Sequence, residues 1–221
     1  MFHSAEIRWF MEGDAPDDVR QWFTASGFAH DEAPRVDEYL VLPGATSTGV
    51  KFRQYPGDDR ASFEIKTRTS DPVAVRFGDH ASGQMDTWVK WSCRPTDVAS
   101  FRESITAGEE LWVHVEKRRC LRKFSLEGTD PVEVNPKTDR PPEGCQLELT
   151  LLRAAPASSQ NIDWASADSW WSLSFEAFGK PDSLTDYVQK VATLTLDSWT
   201  MKDLDAADSY SYPHWLLRFV R

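Results

Sequence analysis

The chain has little thiol chemistry to offer. Its 221 residues include three cysteines, Cys93, Cys120 and Cys145. They stand far apart, with no Cys-x-x-Cys pair and no Cys/His cluster at zinc-ligand spacing. Scattered, odd-numbered thiols suit a reducing compartment, so the expected location is the cytoplasm. No apolar run approaches the roughly 20 residues of a membrane-spanning helix. The opening MFHSAEIRWF places Glu6 and Arg8 inside its apolar stretch, which is not the layout of a secretion signal. A Gly-x-x-x-x-Gly-Lys phosphate loop, a Gly-x-Ser-x-Gly elbow, internal repeats and low-complexity tracts are all absent. Positive charge is also short: 25 Lys and Arg face 35 Asp and Glu, a formal net charge of -10. That balance argues against long nucleic acids and anionic membranes as partners, but it does not say where the cations sit.

What is present is alternation. Hydrophobic residues make up 40% of the chain, enough for a core, and the length suits one unit over residues 1–221. Period-two patterning marks nine stretches, read as about eight strands at short spacing: SAEIRWF, DEYLVLP, GVKFRQ, FEIKTRT, DPVAVRF, TWVKWSC, LWVHVEKRRCLRKFSL, CQLELTLL and WWSLSFEAFG, the seventh being one long strand or a hairpin. A turn is expected at 55–59, and loops over 127–144 and 153–169. Three stretches carry helical periodicity. In DAPDDVRQWFTASGF, Asp14 offers an N-cap, Pro16 a first turn and Gly27 a C-cap. RPTDVASFRESITAG has Thr96 as cap. In KPDSLTDYVQKVATL, Ser183 and Asp186 resemble a capping box.

The strands have one apolar and one charged face. Glu6 and Arg8 share a face of the first; Lys51 and Arg53, then Glu64, Lys66 and Arg68, share faces of the next pair. Lys90, the run Lys117 to Arg119, Arg122 and Lys123 follow; Glu148 and Glu176 sit among Gln, Thr and Ser in the last two strands. Val113, Val115, Lys117 and Arg119 share one parity, so a bulge is expected to turn Lys117 to the charged side. If the helices cover the apolar faces from outside, the sheet closes with its charges inward. Converging Lys and Arg make a polyanion site, and carboxylates beside them supply oxygen ligands for Mg²⁺ or Mn²⁺. The competing reading is an antiparallel sheet with one solvated face and no ligand. Against it stands the recurrence of cations on one face of an acidic protein.

The other chemistry-bearing side chains are bland. Of five histidines, only His114, on the long strand, offers an acid or base near neutrality; as a lone strand histidine it is more readily structural. His214, in SYPHWLL, reads as part of a C-terminal packing motif. Trp9, Trp22, Trp88, Trp91, Trp112 and Trp199 are expected to pack under the helices, though aromatics beside Lys and Arg also suit a nucleobase.

The order of these pieces resembles the CYTH superfamily, the triphosphate tunnel metalloenzymes. The match runs from the strand with Glu6 and Arg8 through DEYLVLP, GVKFRQ, FEIKTRT, VEKRR, LELTLL and LSFEAFG to the closing SYSYPHWL. It implies an α+β protein: an eight-stranded antiparallel barrel forming a tunnel, with amphipathic helices packed outside. Members include inorganic, thiamine and RNA triphosphatases and class IV adenylyl cyclases. Carried over, the resemblance implies Glu6, Glu148 and Glu176 as catalytic groups and ligands of Mg²⁺ or Mn²⁺. It implies Arg8, Lys51, Arg53, Lys66, Arg68, Lys90, Lys117 and Arg119 as phosphate contacts. The implied activity is metal-dependent hydrolysis of a small triphosphate. The family's first-strand Glu-x-Glu-x-Lys here reads Ser4-x-Glu6-x-Arg8. Losing a carboxylate weakens a metal site and supports the alternative, a non-catalytic module that binds a polyphosphate or nucleotide.

Overall fold

A computed structural model describes residues 1–54, 60–105, 111–157 and 162–219. The turn expected at 55–59, the end of the second expected helix and residues 158–161 of an expected loop lie outside the described residues. The alternating stretches form β1 (Phe2–Glu12), β2 (His30–Asp31), β3 (Arg35–Leu40), β4 (Thr48–Gln54), β5 (Ala61–Arg68), β6 (Val73–Phe77), β7 (Ala81–Cys93), β8 (Trp112–Ser125), β9 (Val132–Val134), β10 (Gly144–Pro156) and β11 (Ser169–Phe178). The helices are α1 (Asp17–Thr24), α2 (Val98–Ile105), α3 (Leu184–Leu196) and α4 (Tyr212–Leu216).

Eight strands close into an antiparallel barrel in the order β1-β11-β10-β8-β3-β4-β5-β7, with β7 returning to pair with β1. The strand expected from DPVAVRF forms as β6 but pairs only with β7, outside the barrel wall; β2 and β9 similarly add to β8. The first expected loop holds β9, and β10 runs on through the start of the second.

Directly opposed residues in antiparallel strands face the same side, so register fixes what points inward. Glu6 stands opposite Glu176 on β11 and Asp86 on β7. Glu148 stands opposite Ser174, Thr150 opposite Arg119, Arg35 opposite Lys117 and Lys51 opposite Glu64. The β8–β10 register is unbroken from Val113 to Ser125, so the expected bulge is not needed. Val113 and Val115 face inward together with Lys117 and Arg119, because the interior itself changes character along the axis.

Apolar residues of the outward faces are covered by helices. α3 buries Leu184, Tyr187, Val188 and Val191, and α1 buries Val19 and Phe23, in one cluster with Ala5, Ile7, Trp9, Leu147, Leu173 and Phe175. Trp22 and Trp199 join them edge to face. α2 lays Val98, Phe101 and Ile105 over Phe52, Ala61 and Trp112. Two tryptophans depart from expectation: Trp88 turns inward beside Lys66 and Arg68, and Trp91 is 49% exposed.

The caps also differ. Pro16, not Asp14, precedes α1, and the helix ends at Thr24 with Ala25 as C-cap; Gly27, with a φ of +78°, turns the chain beyond it. At α2 the cap is Asp97, whose Oδ1 accepts the Ser100 N–H at 3.0 Å, in place of Thr96. Ser183 stands at the N-cap of α3 without a side-chain bond, because a 3₁₀ turn over Pro181–Ser183 already leads into the helix.

One end of the barrel interior is apolar. Phe10, Tyr39, Val113, Val115, Leu152, Ala154 and Trp170, inward by register, and Val41 just past β3 enclose Trp215 and Leu216 of α4. Trp215 stacks on Phe10 at 5.2 Å between ring centroids and meets Trp170 at 6.0 Å. Gly49 leaves room for this plug: a Cβ there would lie 3.3 Å from Pro213. The interior is thus a cup with an aromatic floor. Among the described residues, no helix is long and apolar enough to cross a membrane.

Candidate functional site

Above the floor lies a cavity of about 360 Å³. Ten of the eleven residues singled out from the sequence line it: Glu6, Glu148 and Glu176, with Arg8, Lys51, Arg53, Lys66, Lys90, Lys117 and Arg119. The eleventh, Arg68, faces inward by register but pairs with Asp86 at 2.7 Å and does not line the cavity. Arg118 and Arg122 have the opposite parity; Arg122 is taken up by Glu133 on β9 at 2.7 Å. His114 lies opposite Glu38 and Ala155, on the outer face, which removes it from the cavity.

Arg8 is the central cation. Its Nε donates to Glu6 at 2.9 Å and its Nη1 to Glu148 at 3.1 Å and Ser172 at 2.9 Å. Burial opposes the charge on Arg8, but Glu148 and Glu6 outweigh it and hold the guanidinium charged. Glu148 also accepts from Arg119 and from Thr150 Oγ1, the latter at 2.6 Å. Lys66 bridges Glu6 at 2.6 Å and Glu176 at 3.0 Å. Lys51 pairs with Glu64 at 2.6 Å, and Lys90 lies over the Phe2 ring at 5.0 Å.

At the β3 side, fully buried Asp37 accepts two bonds from Arg53, at 2.8 and 3.1 Å, and lies 3.4 Å from both Arg35 Nε and Lys117 Nζ. Lys117 donates to Tyr39 Oη at 2.5 Å and sits 4.1 Å from the Tyr212 ring centroid. Burial pushes the Lys117 ammonium well below the usual lysine range, against the pull of Asp37. Burial, helped by Arg53, lowers Lys51 to about 8. Burial raises Asp86 to about 6, partly offset by Arg68 and reinforced by Glu6.

Burial disfavours charge on Glu176, yet Lys66 outweighs that and brings its carboxyl to about 2. A carboxylate depressed in the folded state stabilises above its unfolded value, near 4.5, and loses that contribution as pH falls through about 2. Asp86, raised to about 6, works in the opposite sense: folding loses stability there as pH rises from about 4 to 6. Glu176→Gln is therefore expected to lose less stability than the parent chain between pH 4.5 and 2, read by urea denaturation across a pH series. An identical acid slope in both would refute this role for the Lys66–Glu176 pair.

Eight cations line the cavity, the seven above and Arg35, against five carboxylates: Glu6, Glu64, Asp86, Glu148 and Glu176. Arg68 and Asp37, inward but outside the lining, add one of each sign, and Glu32, also outside the lining, pairs with Arg35 at 2.8 Å and with Arg119 at 3.0 Å, so two cationic side chains remain in excess. The chamber thus gathers more Lys and Arg than carboxylates in a chain whose net charge is -10.

The oxygen donors do not fit Mg²⁺ or Mn²⁺ as they are arranged. Each glutamate expected as a ligand is already held by ammonium or guanidinium groups, and Lys66 Nζ sits between Glu6 and Glu176. Among the described residues, no group of three or more His, Cys, Asp or Glu side chains is placed to hold a metal ion.

Sequence reasoning missed Arg35, Asp37 and Asp86 as site residues. The alternation that carries them was there: Arg35, Asp37 and Tyr39 alternate in RVDEYL, and Asp86, Trp88 and Lys90 in MDTWVK. It left Glu64 on the charged face without a role. It also gave the interior no part of the C-terminal segment, of which Tyr210, Ser211, Tyr212, Pro213 and Leu216 line the cavity.

No family model matches the chain, and no curated protein does. Solved structures do show similarity over most of its length. A conserved hypothetical protein from Pyrococcus furiosus has 10% identity over 96% of this chain and 98% of its own, with a TM-score of 0.49. A protein from Pyrococcus horikoshii has 12% identity over 98% and 99%, with a TM-score of 0.47. The putative adenylyl cyclase HpAC1 from Hippeastrum, described as having a dominant triphosphatase activity, has 10% identity over 88% of both chains and a TM-score of 0.41.

Proposed function

We propose that the barrel binds a small polyphosphate anion, of the size and charge of a triphosphate. One observation carries the reading: eight cations and five carboxylates enclose a single chamber with a closed floor. Paired charges inside a barrel are tolerable, but unpaired excess charge is not, and its cost falls when an anion enters. Arg35, Arg53 and Arg119 line the chamber paired with Asp37, Glu32 and Glu148, so an entering polyphosphate shares their N–H groups with those carboxylates, and Lys51 and Lys90 add compact charges beside them. A merely solvated face would spread its cations over open surface, whereas these enclose a cavity.

Between the two forms of this reading, the geometry favours binding without hydrolysis. The metal-dependent reaction implied by the CYTH resemblance needs carboxylates available to a divalent ion, and here ammonium and guanidinium groups occupy them.

Inorganic triphosphate is expected to raise the melting temperature saturably. The gain amounts to about 2.7 kcal/mol at a hundred times the dissociation constant and weakens with added salt. Orthophosphate should give much less, and no phosphate should be released with Mg²⁺ or Mn²⁺. Differential scanning fluorimetry and a phosphate-release assay check both. The absence of any thermal shift with triphosphate would end this proposal; metal-dependent release would replace binding by hydrolysis.

A further inference from the structure

The carboxylates and cations of the chamber form one chain: Glu176, Lys66, Glu6, Arg8, Glu148 and Arg119 touch in that order across five strands. The place between Glu6 and Glu176, where two acidic side chains meet across neighbouring strands, is filled by an ammonium at 2.6 and 3.0 Å. Two residues before Glu6 the same face carries Ser4, buried, with a side-chain oxygen that has no hydrogen-bond partner. It adds no charge to the group. A divalent ion entering there would have to expel Lys66 and leave its charge beside the ion at low dielectric. Meanwhile the ammonium has three donors, of which the two carboxylates use two.

We infer that Lys66 and Arg8 take the place of a divalent cation, so that the chamber binds polyphosphate without metal. An added divalent ion then competes with the protein for the anion. This rests on the polyphosphate reading above and goes further, since that reading sets aside metal-dependent hydrolysis without saying what replaces a metal in holding the anion.

The test is calorimetric titration of the full chain with inorganic triphosphate in EDTA and again in Mn²⁺, together with a Mn²⁺ titration followed by electron paramagnetic resonance without phosphate. Expected are binding in EDTA at least as tight as in Mn²⁺, and no stoichiometric Mn²⁺ uptake by the protein alone. Lys66→Met should lose at least tenfold in triphosphate affinity in EDTA and gain Mn²⁺ binding at Glu176 and the freed Oε2 of Glu6, whose Oε1 stays with Arg8. Triphosphate binding that requires Mn²⁺, or stoichiometric Mn²⁺ uptake by the parent chain, overturns the inference and leaves the polyphosphate site intact. No triphosphate binding in either buffer overturns the site itself. Should Lys66→Met fail to fold, the titrations of the parent chain still decide between these outcomes.

Discussion

Asp37→Ala is expected to lower the unfolding free energy by about 3–5 kcal/mol, the range for removing one partner of a buried charge group. Asp37 has no solvent exposure and compensates three cations at once. Arg53 binds it through two N–H groups at 2.8 and 3.1 Å, and Arg35 and Lys117 each approach to 3.4 Å. Burial pushes its carboxyl upward; Lys117, Lys51 and Arg53 outweigh that and hold it well below the usual carboxylate range. Alanine would leave those cations facing one another across β3, β4 and β8. Asp37→Asn keeps the shape and an acceptor but not the charge, so its loss should be intermediate. Urea denaturation at pH 7 measures both, and a loss below about 1 kcal/mol for alanine would mean that solvent already screens the cluster. The variant offers a second readout. Inorganic triphosphate should raise its melting temperature more than that of the parent chain, because the anion supplies the missing negative charge.

The residues that make this cluster show where the sequence was legible. Parity was enough to place ten charged side chains in one chamber, since the alternation of a strand survives any closure of the sheet that keeps register. The limits of the strands were harder. β3 begins at Arg35, directly after Pro34, and β7 begins at Ala81 and passes through Gly83; Pro and Gly are breakers in local pattern but are accommodated here at a strand start and at a close approach of Ser209 and Ile7. Reading those strands as starting at Asp37 and Thr87 removed Arg35 and Asp86 from the charged face. Asp37, at the very end of the shortened strand, drew no role. The inward valines had a different cause. Val113 and Val115 contradict a uniformly polar interior only if the interior is a tunnel. The residues that make it a cup come from a five-residue helix, α4, too short for any period to register.

That short helix is the other place where a single substitution should have a large effect. Trp215→Ala is expected to cost about 3–5 kcal/mol, the loss typical of removing a buried Trp or Phe side chain. Trp215 is fully buried and touches Phe10, Trp170, Tyr212 and Phe219 through its ring. Few of these neighbours can close over the hole, because Phe10 and Trp170 are fixed in the barrel wall. Trp215→Phe should cost less, since a ring remains to stack on Phe10 and the indole N–H has no hydrogen-bond partner to lose, leaving only the smaller cavity. The pair of variants separates ring packing from polar anchoring. Equal losses in the two would assign the energy to the indole N–H and contradict the packing account. The alanine variant should also weaken triphosphate binding, although Trp215 itself does not line the cavity. Tyr212, one turn earlier, lies 4.1 Å from Lys117 and 5.6 Å from the Arg8 guanidinium carbon. Its ring position depends on Trp215 at 5.3 Å and Tyr39 at 5.0 Å. Loosening the floor therefore loosens the two deepest cations, and calorimetry on Trp215→Ala below its melting temperature should show reduced triphosphate affinity in a protein that is still folded.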